Sequence, residues 1–153
     1  MELHRDITLS IKHQKQLRVF PYFFIPALNN FYFLRTDLGF FKPVLETWKH
    51  EGYVKFRSSE IEINIEFDSP AWIGICLGKP KSRRKIYLSG LLEKLDIPFG
   101  ETILTIQKTD DLEILESQIN ASFQKSREVI KNNWDRIAVY VKNIPDVIDS
   151  KVF

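Results

Sequence analysis

The chain has 153 residues, of which 44% are hydrophobic and 13% aromatic, and its formal net charge is +2. This length is typical of one domain, and the hydrophobic content excludes a disordered chain. The single cysteine, Cys76, excludes a scaffold held by internal disulfides and favours a reducing compartment. Residues 36–78 carry four Lys or Arg against seven Asp or Glu, and residues 79–100 carry six against two. Such a mosaic argues against a protein that binds polyanions over its whole surface.

The N-terminus is too polar for a secretory signal peptide. The most apolar run, residues 19–34, has sixteen residues and contains prolines and asparagines. Because a spanning helix needs about 20 apolar residues, we expect no membrane association and a cytoplasmic protein. No repeat or linker divides the chain, so a single domain over residues 1–153 is predicted. Its parts are an aromatic-rich N-terminal arm (1–35), a helix plus antiparallel sheet (36–108) and C-terminal helices (109–145).

The N-terminal arm has mixed signals. Ile7, Leu9 and Ile11 alternate with polar residues, which predicts a short strand. Residues 17–25 have extended character and are broken by Pro21, although a helical start is an alternative. The seven aromatic residues between positions 20 and 33 are predicted to be mostly core. Any that stay exposed would form a surface for a partner or for a homo-oligomer.

A helix is predicted next. Phe41, Val44, Leu45 and Trp48 have the i, i+3, i+4, i+7 spacing of one apolar helix face. Gly52 follows at a position suited to ending this helix.

The hydrophobic period then changes to two, which predicts strands. Val54 and Phe56 alternate with polar neighbours, and residues 60–68 alternate without exception. In this second run, Ile61, Ile63, Ile65 and Phe67 are predicted to face the core. Residues 72–77 are apolar on both faces, which predicts a third, internal strand. Short connections between the three predict an antiparallel meander.

The pattern of residues 86–97 predicts a short helix, or a strand that runs into a helix. The pattern of residues 102–106 predicts a further strand. The C-terminal helices begin with the capping pair Asp110 and Glu113, break at Asn132–Asn133 and end at Pro145. The predicted class is α+β: an antiparallel β-meander with helices packed on one face and a long C-terminal helical segment.

Residue types that carry catalysis are sparse. None of the three histidines has a metal-ligand spacing, and no phosphate-binding glycine motif is present. Cys76 lies in an apolar strand, where cysteine behaves as a small hydrophobic residue. We therefore expect no catalytic residues, no metal and no cofactor, with a small enzyme of unknown class as an alternative.

Two charged features are candidate binding sites. Period two places five polar residues on one side of the strand over residues 60–68: Glu60, Glu62, Asn64, Glu66 and Asp68. Such a row is either a solvated face that resists aggregation or a docking surface for a basic protein partner. The second feature is a loop with five cations: Lys79, Lys81, Arg83, Arg84 and Lys85. It is either a solvated loop or a nucleic-acid contact, and the acidic strand beside it makes nucleic acid an unlikely partner.

The order of elements between residues 38 and 97 resembles that of small α+β immunity proteins, which accompany bacterial polymorphic and contact-dependent toxins. The resemblance rests on a helix ending at Gly52-Tyr53, an alternating strand preceded by Ser58-Ser59, a strand led by Trp72, and the segment 88–97. It implies a protein that blocks a cognate toxin through a charged surface. The net charge of +2 departs from the acidic balance common among nuclease inhibitors, which puts a nuclease target in doubt.

Overall fold

The computed structural model describes residues 1–99 and 106–145. These residues form a five-stranded antiparallel sheet with helices on one of its faces, so the predicted α+β meander is confirmed. The strands follow one another across the sheet in chain order: β1 (Val44–Trp48), β2 (Glu51–Arg57), β3 (Glu62–Asp68), β4 (Trp72–Gly78) and β5 (Lys85–Tyr87). The helices are α1 (Ile11–Leu17), α2 (Pro21–Phe31), α3 (Phe33–Thr36), α4 (Leu88–Lys94), α5 (Leu112–Asn132) and α6 (Trp134–Lys142).

The middle of the sheet follows the predicted alternation. Ile63, Ile65 and Phe67 of β3 are each at most 1% exposed and face the helices. Their cross-strand partners on β2 and β4, such as Val54 and Ile75, are also buried. The sheet therefore has one face in the core, as period-two alternation requires.

The predicted helix over residues 41–48 is wrong, because this segment contains strand β1. Leu45 is buried, whereas Phe41, Val44 and Trp48 are exposed, so these four residues do not share a face. Gly52 ends no helix and lies within β2. A β-carbon on Gly52 would lie 3.2 Å from the ring of Phe23, so the glycine allows α2 to pack closely on the sheet.

The N-terminal arm is helical, so the strand predicted around residues 7–11 and the extended character predicted for residues 17–25 are also wrong. Ser10 caps α1 by accepting a hydrogen bond from the amide of His13. Pro21 occupies the first position of α2, where its fixed backbone angle and missing N–H are tolerated. The proline that reads as a break is therefore a helix start.

The aromatic residues of this arm build much of the core. Phe23, Phe24 and Phe31 are fully buried. The Phe23 ring stacks on Phe67 of β3 with centroids 5.4 Å apart, and it meets Phe123 of α5 edge to face. All seven aromatic side chains between residues 20 and 33 are buried or half-buried in the chain itself. Homo-oligomerisation through this segment stays a prediction. The segment presents no exposed aromatic patch that would support it.

The C-terminal helices match the prediction with small shifts. Asp111, rather than Asp110, caps α5 by accepting hydrogen bonds from the amides of Glu113 and Ile114. The chain breaks at Asn133, and α6 ends at Lys142, before Pro145. The predicted strand over residues 102–106 falls almost wholly outside the described residues. No helix in the described ranges is long and apolar enough to cross a membrane.

Candidate functional site

The sheet face opposite the helices, here called the open face, carries most of the chain's candidate binding residues. The register aligns its side chains in four rows across the strands. The rows are Trp48–Glu51–Asp68–Trp72, then Glu46–Tyr53–Glu66–Gly74, then Val44–Lys55–Asn64–Cys76–Tyr87, and finally Arg57–Glu62–Gly78–Lys85. The five carboxylates and three cations of this face are therefore neighbours in space although they come from four strands, β1, β2, β3 and β5.

The last row is a cluster of paired charges. Lys85 Nζ lies 2.7 Å from Glu62 Oε2, and Arg57 Nε donates to the other carboxylate oxygen. Lys85 Nζ also donates to the carbonyl of Lys79 at 2.9 Å. The acidic strand and the basic loop are thus joined through one carboxylate.

The interpretation of the polar row as a solvated face does not hold for Glu62. Its side chain is 5% exposed, although it is on the open face. Burial raises the pKa of Glu62, but the hydrogen bonds and charges of Lys85 and Arg57 outweigh burial and hold this pKa below its ordinary value. Glu62 is a paired structural charge and is not available to a partner.

The opposite end of the open face is aromatic and acidic. Trp48 and Trp72, 64% and 46% exposed, lie at the two ends of the first row, with Glu51 and Asp68 between them. The Tyr53 hydroxyl of the second row donates to Glu51 at 2.8 Å. Burial raises the pKa of Tyr53, and this hydrogen bond raises it further. We call the first two rows the acidic–aromatic end.

A glycine shapes the surroundings of Glu66. A β-carbon on Gly74 would lie 2.6 Å from the Trp72 ring, so this ring lies directly over the glycine, which pairs with Glu66. Tyr87 meets Trp72 edge to face at 6.1 Å. Burial raises the pKa of Glu66, and a hydrogen bond from Tyr87 offsets only part of this effect. Glu66 is therefore a half-buried carboxylate bordered by two rings.

Three oxygens along β3 lack a hydrogen bond within the described residues: Asn64 Oδ1, Glu66 Oε1 and Asp68 Oδ1. His50 Nε2 lies 3.5 Å from Asp68 Oδ1. Side-chain acceptors shielded from water are normally satisfied.

Glu60, the first residue of the predicted acidic row, is separate from it. It lies before β3, is exposed, and shares a hollow of about 460 Å³ with Lys79, Lys81 and Lys142. The basic loop is the connection between β4 and β5, and its Lys81, Arg83 and Arg84 are exposed. The structure thus divides the ten candidate residues differently from the sequence: Glu62 and Lys85 are paired, and Glu60 belongs beside the basic loop.

Cys76 is buried, as predicted, at 7% exposure. It faces the open side of β4, between Asn64 and Tyr87, so neither cross-strand neighbour is a histidine that could act as a base. Burial and the charge of Glu66 raise the pKa of this thiol to about 11. Among the described residues, no three His, Cys, Asp or Glu side chains are grouped to hold a metal ion.

Several residues of the open face were missed in the sequence: Trp48, Glu51, Tyr53 and Tyr87. Trp48 was assigned to a helix, and Glu51 to that helix's end. One signal in the sequence could have revealed the β1–β2 hairpin. Thr47 and Trp48 are β-forming residues, and a second alternating run begins after a gap of two residues.

The chain was compared with protein-family models, curated proteins and solved structures, and none of them matches it.

Proposed function

We propose that the chain is a non-catalytic protein-binding domain of the immunity type, whose acidic–aromatic end binds a basic surface of a cognate toxin domain. The observation that carries this proposal is a sheet face left uncovered by the helices, on which carboxylates lie between two exposed tryptophans. Trp72 also meets the exposed ring of Tyr87, and contiguous exposed apolar side chains mark interaction surfaces more often than isolated ones do.

Charge favours a basic partner. The strand residues of the acidic–aromatic end include four carboxylates and no Lys or Arg. Glu46 is paired with Lys55 of the next row at 3.1 Å, so part of this charge is compensated. Glu51 and Glu66 have no Lys or Arg ion pair within the described residues. Opposite charge on a partner would accelerate its association and fix its orientation.

The aromatic side chains favour a protein over a small ligand. Tryptophan and tyrosine are enriched among the residues that dominate binding energy in protein interfaces. Trp48 and Trp72 lie at opposite sides of the same row, on β1 and β4, so a partner that reaches both must cover the width of three strand spacings. Such an extended contact is typical of occlusion by a folded domain.

The partner class is taken from the resemblance of residues 38–97 to immunity proteins. Of the features that carry it, the helix ending at Gly52-Tyr53 is replaced by strands β1 and β2, so the resemblance now rests on the alternating strand, the strand led by Trp72 and the segment 88–97. An immunity protein of this kind acts stoichiometrically, by covering the surface that its toxin uses. The paired Arg57–Glu62–Lys85 end then serves as the rigid border of the contact.

The experiment is capture from a lysate of the source cells with three forms of the protein: wild type, Trp48→Ala with Asp68→Asn, and the matched control Ile114→Ala with Asp110→Asn. Both pairs remove one exposed apolar side chain and one exposed or half-exposed carboxylate, but the control residues lie beside or on α5. We expect a basic protein to be captured by wild type and control and lost by the open-face variant. The association rate should fall as salt rises.

The captured protein is then expressed alone and together with each form. Growth arrest that wild type and control relieve, and that the open-face variant does not, supports the immunity function. Equal capture by all three forms contradicts the assignment of the open face. Nucleic acid bound in place of protein, and lost when Lys81 and Arg84 are changed to serine, would identify the alternative nucleic-acid module.

A further inference from the structure

A second candidate site lies away from the open face, where β5 meets the helices. A half-open pocket of about 580 Å³ is lined by the end of the basic loop, strand β5, α4 and the C-terminal part of α6. The size is within the range of small-molecule sites, about 300–1,000 Å³.

The charge of this cavity is of one sign. Three of its lining residues are cations, and none of its described lining residues is an Asp or Glu. Lys85 is held by Glu62 on the open face, so Arg84 and Lys94 are the cations that remain for a ligand. Both are exposed and come from different elements, the β4–β5 loop and α4. An anion placed between them would approach two positive groups and meet no nearby carboxylate from the lining.

The rest of the lining is largely apolar. Ile86, Val139 and Ile144 contribute hydrophobic surface, and Val139 is 57% exposed, which is high for a valine on a helix that packs against the sheet. Tyr140 and Asn143 add hydrogen-bonding groups. Apolar walls with a few convergent polar groups are the usual composition of a small-molecule site.

We propose that this cavity binds an organic anion with an apolar or aromatic body, with Arg84 and Lys94 contacting the anionic group and Val139 and its apolar neighbours contacting the body. The proposal is independent of the function proposed above, because it uses no residue of the acidic–aromatic end. It assigns a role to the basic loop that needs no nucleic acid.

Calorimetric titration with 2-naphthyl phosphate tests the proposal. Two further ligands test the two kinds of contact separately. 2-Naphthol has the same aromatic body without the charge, and inorganic phosphate has the charge without the aromatic body. We expect 2-naphthyl phosphate to bind saturably, and each half-ligand to bind about tenfold more weakly or worse. Absence of saturable binding at millimolar concentration overturns the proposal. Equal affinity for 2-naphthol overturns the role of the cations.

Variants locate the binding. Arg84→Gln with Lys94→Gln should weaken binding by about tenfold or more. The control Lys12→Gln with Lys15→Gln removes the same charge from α1, beside the opposite edge of the sheet, and should leave the affinity unchanged. If both pairs weaken binding equally, the interaction is non-specific electrostatic attraction and the proposal is wrong. Val139→Asp, at an exposed position, should also abolish binding, whereas Ile114→Asp on α5 should not.

Discussion

Glu62 shows how one residue can join two features that are far apart in the chain. It receives Arg57 from the neighbouring strand and Lys85 from 23 positions downstream. Its side chain is nearly inaccessible, whereas Arg57 is 53% exposed, so the cluster is buried on one side and solvated on the other. Removing the Glu62 carboxylate leaves Arg57 and Lys85 as two cations that face each other without a counter-charge. An unpaired charge is costly where it is shielded from water.

We expect Glu62→Gln to lower the free energy of unfolding by about 2 kcal/mol at pH 7, a value reduced for the exposure of Arg57. Because the pKa of Glu62 is lowered in the folded state, its stabilisation is fully present above the ordinary value of 4.5. It is lost as the pH falls through the lower folded value. Urea unfolding of wild type and variant between pH 7 and pH 2.5 should therefore show a difference that shrinks with acid.

Glu60→Gln is the matched control, since Glu60 is an exposed carboxylate two residues away. Its effect on the free energy of unfolding should stay within about 0.5 kcal/mol. If the difference in unfolding free energy between Glu62→Gln and wild type does not change with pH, charge pairing is not the origin of that difference.

Cys76 gives a second prediction for a single residue. With its thiol pKa raised from 9.0 to about 11, the thiolate fraction at pH 8 is about 100-fold lower than for an unperturbed thiol. Alkylation by iodoacetamide should be slower in the native protein than in urea by at least about this factor. Mass spectrometry over a time course measures both rates, and rapid stoichiometric labelling of the native protein would contradict the burial of Cys76.

Among the elements, β3 defines which face of the sheet is the core. Ile63 is fully buried on the helix side, whereas Val44 of β1 is 42% exposed on the open face. Ile63→Asp buries an unpaired charge and should cost about 4 kcal/mol or more, a large part of the roughly 5–15 kcal/mol by which a domain is ordinarily stable. Val44→Asp should cost less than about 1 kcal/mol. Thermal melts followed by circular dichroism compare the two, and similar melting temperatures would mean that the register is wrong.

The elements that could be predicted from the sequence are those with an unambiguous period. Residues 60–68 alternate perfectly because one side of β3 is core and the other is polar. Residues 41–48 were misread because a short apolar run fits both periods, and only burial distinguishes Leu45 from Val44 and Trp48. In α2, Pro21 obscured a regular helical stripe that includes Phe23, Ala27 and Phe31.

At the scale of the whole molecule, the candidate site depends on contacts between strands. The acidic row and the basic loop could be found in the sequence, but the pairing of Glu62 with Lys85 requires the registers of β3 with β4 and of β4 with β5. The same holds for Trp48 and Trp72, which are 24 positions apart and belong to one row only because four strands align. Residue types were therefore predictable, and their grouping was not.

The placement of the helices on a single face of the sheet separates the residues that hold the fold from those available for recognition. Phe23, Ile63 and Phe67 belong to the core, whereas Trp48 and Trp72 project from the other side and are largely exposed. A substitution at Trp48, the more exposed of the two, should alter stability by no more than about 0.5 kcal/mol, whereas Trp72 also packs over Gly74 and against Tyr87. The acidic–aromatic end can consequently diversify by mutation while the scaffold is retained, so that descendants of one ancestral domain could acquire different partners without first acquiring a new fold.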